Sequence, residues 1–403
     1  MYSTLAAILA AFLTTGMSSY ISHPLTVVGS CVVCLIMAGF AIVHPASRVH
    51  PVFLLGGLAM AVLALLSAEA NRCDDSSTIH VISCYLAMLS MGFSSPSLSA
   101  FCRKLILINN VFITFWILIQ GAQGNAFQAW KITNPAGASN LMAAQINMSI
   151  PFVIAAIASG TMIRKLLWGG MLCLNMLAVV LVMSRNGIGS MLVLLVLYVM
   201  FNQKRLAVCV LTPIVLLAMF PEVITRNPLI RPVLVQLRVL DYKPTAPRSL
   251  IWEVAGEHIA EHPLLGVGPG KAQLALAVID TNHAHNNVVQ IALETGLPAA
   301  AMYLVLVAGM LYLPGRAIFT DQATFLPTLG ILAYHAYSMT AGPIVLPTAT
   351  LLLGACVNES RMSCQKQERQ QRQQRQQQQL QFQQQRIARR KSLAPTQLLP
   401  VRT

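Results

Sequence analysis

The chain reads as an all-α integral membrane protein with about twelve transmembrane helices and one long outer loop that itself contains helices. Three observations carry that reading. Of 403 residues, 56% are hydrophobic and only 10% charged, with a mean hydropathy of +0.64; this balance leaves too little polar surface for soluble domains of such length. The apolar residues gather in runs of membrane length, since about twenty helical residues cross a hydrocarbon core of about 30 Å. Finally, Lys and Arg in the short connections alternate in abundance from one side to the other.

The runs fall at roughly 3–20, 24–43, 52–69, 79–97, 105–122, 143–162, 166–183, 187–202, 206–221, 297–314, 324–341 and 343–357. No basic residues precede the first, so it is expected to stay as a membrane helix instead of being cleaved as a signal peptide. Ser94-Ser95-Pro96-Ser97 interrupts the end of the fourth. With residue 1 inside, the inner loops hold Arg48, Arg103, Lys104, Arg164, Lys165, Lys204, Arg205 and Arg316, whereas the short outer connections hold only Arg72, Lys131 and Arg185. The chain therefore divides into nine spans over 1–221, an outer loop over 222–296, three spans over 297–357 and an inner tail over 358–403.

The formal charge of +14 is concentrated in that tail. Gln and Arg dominate it from Gln365 to Gln385, followed by Arg389-Arg390-Lys391. Few apolar side chains are available to fold it, so it is expected to be disordered or loosely helical, with its charge facing anionic lipid. It carries no nucleic-acid-binding motif, so no nucleic-acid partner is expected. Among the scattered cysteines, Cys73 and Cys84 flank an outer connection, where an oxidising compartment would let them pair.

Polar chemistry collects in the outer loop. A helix is expected from about Arg248 to His262, with Leu250, Ile251, Val254, Ala255 and Ile259 at helical spacing and Pro263 closing it. Arg248 at its first turn does not complement the helix dipole, a mismatch that an anionic ligand would resolve. Gly266-Val267-Gly268-Pro269-Gly270 follows, and then Asn282-His283-Ala284-His285-Asn286-Asn287 leads into the apolar run at Leu297. An imidazole can accept a proton near neutral pH, and Asn neighbours can orient it or hold sugar hydroxyls. Arg185 lies in the brief break Met183-Ser184-Arg185-Asn186-Gly187 without an acidic neighbour in sequence, which suits a residue meeting an anion at the membrane surface. His335, between Tyr334 and Tyr337 in the outer part of the eleventh run, is a further intramembrane candidate. His258-Ile259-Ala260-Glu261-His262 fits the inverted zinc-protease spacing, yet no third ligand is evident and Pro263 follows at once, so no metal is assigned. Asn109, Asn110, Gln145 and Asn147 are expected to join helices to one another.

An Arg between the seventh and eighth spans, Arg248-x-x-x-Trp252, His262-Pro263-Leu264-x-Gly266-Val267-Gly268 and His283-Ala284-His285-Asn286 before Gly296-Leu297-Pro298 together resemble the O-antigen ligase and polymerase superfamily. The likeness covers about residues 180–313. The ligase pattern of His and Asn, nine residues, then Gly is met by His285, Asn286 and Gly296; two residues later, where the pattern has Gly, Thr or Tyr, this chain has Ala299.

The resemblance implies a glycosyltransferase of the bacterial inner membrane with both termini cytoplasmic and its long loop periplasmic. It would need neither metal nor nucleotide nor other cofactor. Its donor would be an undecaprenyl-diphosphate-linked glycan and its acceptor, for a ligase, the sugar of lipid A-core. Arg185, Arg248 and His285 are then the expected catalytic residues. Asn286, His283, Trp252 and His335 join the two arginines as expected substrate-binding residues. A polymerase of O-antigen or exopolysaccharide and a protein O-oligosaccharyltransferase are the alternatives within the class. A twelve-span transporter is the alternative outside it, although the chain shows no internal repeat and its ionisable residues cluster away from the bilayer midplane.

Overall fold

The computed structural model describes residues 2–14, 28–29, 32–33, 36, 48–94, 96–125, 139–182, 184–202, 248–279, 281, 283–312, 314, 322–338 and 347–393. These residues form helices throughout, apart from a two-residue antiparallel ladder pairing β1, Arg48–Val49, with β2, Phe93–Ser94. The helices are α1 Tyr2–Thr14, α2 Pro51–Ala70, α3 Asp75–Leu89, α4 Pro96–Gln120, α5 Ser139–Ser159, α6 Met162–Leu181 and α7 Arg185–Asn202. They continue with α8 Arg248–Glu261, α9 Ala272–Ala275, α10 Asn287–Thr295, α11 Leu297–Tyr312, α12 Gln322–Ser338 and α13 Pro347–Leu393. Among the described residues, four helices are long and apolar enough to cross a membrane: Pro51–Ala70, Leu98–Gln123, Leu141–Ser159 and Met162–Leu181. The ninth expected run, 206–221, most of the second, 24–43, and the loop as far as residue 247 lie outside the described residues, and with them the test of a twelve-span count.

Packing places α5 at the centre. It touches α4, α6, α7 and α12, and 78% of its membrane-length window is buried, against 22% for α6, which is therefore peripheral. Helix α5 tolerates that depth because its polar side chains find partners on neighbouring helices. Asn109 Nδ2 on α4 donates to Gln145 Oε1 at 3.3 Å, and Asn147 Nδ2 donates to the Gly187 carbonyl of α7 at 2.7 Å. On α6, Asn175 accepts from Thr114 Oγ1 at 2.7 Å and donates to Asn110 Oδ1 at 3.2 Å. Buried polar pairs of this kind average about 0.6 kcal/mol each in a membrane bundle, so they set helix register more than they set total stability.

The fourth expected span ends early. Helix α3 stops at Leu89, a tight turn covers Ser90–Gly92, and the ladder residues Phe93–Ser94 lead to Pro96, which opens α4. The break follows from Pro96, whose fixed φ suits the first helical position but not a helix interior. No disulfide joins Cys73 and Cys84, so the pairing open to them in sequence is not made.

The tail takes the helical one of its two expected states. Helix α13 runs unbroken for 47 residues, and Asn358, Glu359, Ser360 and Arg361 are buried within the bundle. Glu359 pairs with Arg103 at 2.8 Å and accepts from Ser99; Arg361 donates to the Met91 carbonyl and lies 5.7 Å over the Phe53 ring. The Gln/Arg segment beyond extends a helix whose nucleus already exists, and it contains no Gly or Pro to stop it. Low apolar content leaves that extension exposed but does not unwind it.

Candidate functional site

The outer-loop elements pack on the bundle through a small core of their own. Ile251 and Ala255 on α8 meet Ala272, Leu276, Ala284 and Leu293, which holds α8 against α10. Helix α8 begins at Arg248, where the sequence places it, and Trp252 stands one turn later. The Trp252 indole Nε1–H donates to the Ala284 carbonyl at 2.8 Å. One side chain of the Arg-x-x-x-Trp pair thus fastens α8 to the histidine turn while the other, four residues back, projects near the same turn.

That turn is fixed on both sides of Ala284, which is fully buried. Its N–H donates to Gln290 Oε1 at 2.9 Å, and its carbonyl takes the Trp252 bond. His285 follows with φ of 53°, a left-handed conformation that costs a non-glycine residue about 1–3 kcal/mol and persists only where its surroundings enforce it. Asn286 then returns to extended backbone and caps α10, its Oδ1 accepting from Val288 N at 2.9 Å and Val289 N at 3.3 Å. The oxygen that sequence reasoning offers to a substrate is engaged in building the turn.

The electrostatics keep the imidazoles neutral. Burial first, and the nearby Arg248 guanidinium second, hold the His285 pKa below its ordinary value. His283, which still reaches solvent, is lowered by burial and then by His285. The proximity of Arg248 to His285 joins the two most heavily weighted loop residues. A neutral imidazole beside a fixed cation can take a proton from a hydroxyl while the cation faces an anion.

The glycine segment closes the other side of α10. Val267 N donates to the Leu293 carbonyl at 2.8 Å and Gly268 N to that of Glu294 at 3.1 Å. Gly266 has φ of 64°, and a Cβ there would lie 2.5 Å from the Leu293 oxygen; Gly296 has φ of 94°, and a Cβ there would lie 2.2 Å from the Leu264 oxygen. No other residue type allows both the hand of the turn and the approach of the two backbones. Within this fold the Glu294 carboxyl is buried, accepting from Gln290 Nε2 at 2.7 Å and from the Gly270 and Ala272 N–H groups. Burial outweighs those donors and pushes its pKa up to about 7.

Below the turn, buried Asn287 hydrogen-bonds with Tyr303 and Tyr334. His335 lies 3.4 Å from Tyr303 Oη through Nδ1 and 3.5 Å from Met310 Sδ through Nε2, and its ring packs edge-on against Tyr334, so it reaches the histidine turn through these tyrosines and Asn287. Arg185 is the first residue of α7. Ser184 Oγ accepts the Gly187 N–H at 3.0 Å as a cap, and Asn147 grips the Gly187 carbonyl, which explains the break in the sequence there. The Arg185 side chain lies outside the described residues. His258 of the inverted zinc-protease pattern is engaged in the fold, its Nε2 at 3.0 Å from the Ala275 carbonyl and its Nδ1 at 3.5 Å from Glu261.

Gln290 and Glu294 are the site residues that sequence reasoning missed. Their signal was present: Asn286, Gln290 and Glu294 recur every four residues through an otherwise apolar stretch, which puts three polar side chains on one face of α10.

No curated protein matches the chain. Residues 143–304, which contain α5 through α7, the described part of the outer loop and the start of α11, match the family model described as O-antigen ligase. That region, which holds Arg185, Arg248 and His285, carries the O-antigen ligase domain and supports membership of the O-antigen ligase and polymerase superfamily.

Proposed function

We propose that the protein is an O-antigen ligase that transfers a glycan from undecaprenyl diphosphate to lipid A-core at the periplasmic face of the bacterial inner membrane. The observation that carries this reading is the His285 turn. A strained left-handed histidine is pinned against the helix that begins with Arg248, inside the region matching the ligase family. Membership of a glycosyltransferase-like family supports the enzyme class, and the apolar helices support a membrane setting for lipid-borne substrates.

In the proposed reaction an acceptor hydroxyl attacks the anomeric carbon of the first donor sugar from the face opposite the diphosphate. A new C–O bond forms as the bond to the diphosphate oxygen breaks, that oxygen leaves with the electron pair, and the anomeric configuration inverts. His285 takes the hydroxyl proton. Arg248 and Arg185, each the first residue of a helix, hold the departing charge. His283, Trp252 and Asn286 shape the turn around the acceptor, and His335 supports it from beneath through Tyr303. The two arginines supply the fixed positive charge that the diphosphate needs, so transfer proceeds without a divalent ion.

Polymerisation of O-antigen units is the second reading, because one superfamily contains both activities and Ala299 departs from the ligase pattern. A deletion strain separates the two. Lipopolysaccharide without any O-antigen, with full-length polymer left on the carrier lipid, is the ligase result. Lipopolysaccharide capped by a single repeat unit is the polymerase result.

A further inference from the structure

A chain of hydrogen bonds runs from one buried carboxylate to the histidine turn. Glu294, on α10, takes the N–H groups of Gly270 and Ala272 from the glycine segment and the Nε2–H of Gln290 from its own helix. Gln290 turns its other end, Oε1, to the N–H of Ala284. The Ala284 carbonyl is held by Trp252 of α8, and the next residue is His285 with its left-handed φ.

The chemistry of these groups makes the arrangement directional. A side-chain amide is symmetric in shape, and only its partners decide which end is oxygen. The Glu294 carboxyl accepts from Gly270, Ala272 and Gln290, so it draws Gln290 Nε2 toward itself and leaves Oε1 for Ala284. A group at 294 offering an N–H to Gln290 would favour the reversed amide, and the reversed amide would set an N–H against the Ala284 N–H. The identity of residue 294 is thereby felt at the peptide preceding His285. Tyr85 from α3 and Cys73 from the preceding connection are the titratable groups whose charge Glu294 influences; Lys271, beside Ala272, donates to the Asn71 carbonyl at 2.5 Å.

We propose that Glu294 is a positioning residue for the transfer reaction, fixing the Gln290 amide so that the Ala284 peptide holds the His285 imidazole in its working orientation. The inference rests on the reading of His285 as the group that handles the acceptor hydroxyl. It differs from a purely structural role, because it depends on donor and acceptor pattern and not on volume.

The test uses the full-length protein in proteoliposomes, with an undecaprenyl-diphosphate-linked oligosaccharide as donor and purified lipid A-core as acceptor. Four variants are compared with the wild type: Glu294→Gln, the exchange Gln290→Glu with Glu294→Gln, His285→Ala, and Glu257→Gln on the exposed face of α8. Glu294→Gln keeps the shape and is expected to lower kcat by about a hundredfold, the scale of a misplaced catalytic group, with KM nearly unchanged and a melting temperature no lower than that of the wild type. The exchange restores one carboxylate and one amide in reversed order, letting residue 290 accept from both Ala284 and residue 294, and is expected to recover most of kcat. Glu257→Gln is expected to match the wild type. Wild-type kcat in Glu294→Gln overturns the proposal, as does an exchange variant no better than the single one. If either occurs while His285→Ala is inactive, the positioning role fails and the reading of His285 stands. If His285→Ala is fully active, the underlying reading itself fails.

Discussion

The indole N–H of Trp252 donates to the carbonyl of Ala284 at 2.8 Å, across thirty-two residues of sequence, and so locks α8 to the histidine turn. Trp252→Phe keeps a ring in place but strands that carbonyl. The expected stability loss is about 1 kcal/mol, while kcat for transfer falls more steeply, about tenfold, because the turn carrying His285 is no longer held from one side. Thermal melts and steady-state transfer by the same preparation check this. Unchanged kcat would show that the bond is incidental to the site.

The pH dependence of transfer follows from His285. A base must be neutral to accept a proton, and burial with the Arg248 charge holds this imidazole below its ordinary pKa. The decline of activity with falling pH is therefore expected at a lower pH than an ordinary imidazole would give. Removing the guanidinium with Arg248→Gln relieves part of that depression, so the residual activity of the variant should decline at a higher pH. Initial rates from pH 5 to 8 measure both limbs, and a decline in the variant at the same pH as in the wild type would contradict the assignment.

Glu294 gives a stability trend opposite to that of a paired carboxylate. Its folded-state pKa of about 7 lies above the 4.5 of the free group, so the folded protein keeps a proton that the unfolded chain has lost. Stability is then fullest below pH 4.5 and falls as pH rises to about 7, by roughly 3 kcal/mol over the interval. Inactivation half-lives in detergent at fixed temperature should shorten across that range, and Glu294→Gln should remove this component. An equal pH slope in the variant would show that other groups govern the trend.

Two glycines separate backbone necessity from simple tolerance. Gly296→Ala forces a side chain into φ of 94° and against the Leu264 carbonyl, and is expected to cost at least 1–3 kcal/mol and reduce the folded protein recovered from membranes. Gly256→Ala, in the middle of α8 with open space around it, is expected to stabilise by about 0.5–1 kcal/mol. Comparable losses in both would contradict the backbone argument.

The helices and the outer-loop centre of chemistry were legible because each rests on a local pattern. Apolar runs placed α2 and α5 within a few residues, and Leu250, Ile251, Val254, Ala255 and Ile259 placed α8 over almost its full length. Asn109, Asn110, Gln145 and Asn147 could be read as interhelical partners because a buried amide in a membrane bundle has few other options. The Gln290–Glu294 link was not read, since its meaning depends on Gly270, Ala272 and Ala284 arriving from elsewhere in the chain. Of the two states open to the tail in sequence, the helical one is found through Leu393, because the helix is already nucleated at Pro347 and anchored by Glu359 and Arg361.

The central claim is that His285 accepts the proton of the acceptor sugar while Arg248 faces the diphosphate. The most direct measurement is single-turnover transfer in proteoliposomes by His285→Ala beside wild type, with equal protein and saturating donor and acceptor. The account predicts a rate lower by about a hundredfold to ten thousandfold, with donor binding largely kept. Transfer by His285→Ala at the wild-type rate would contradict it.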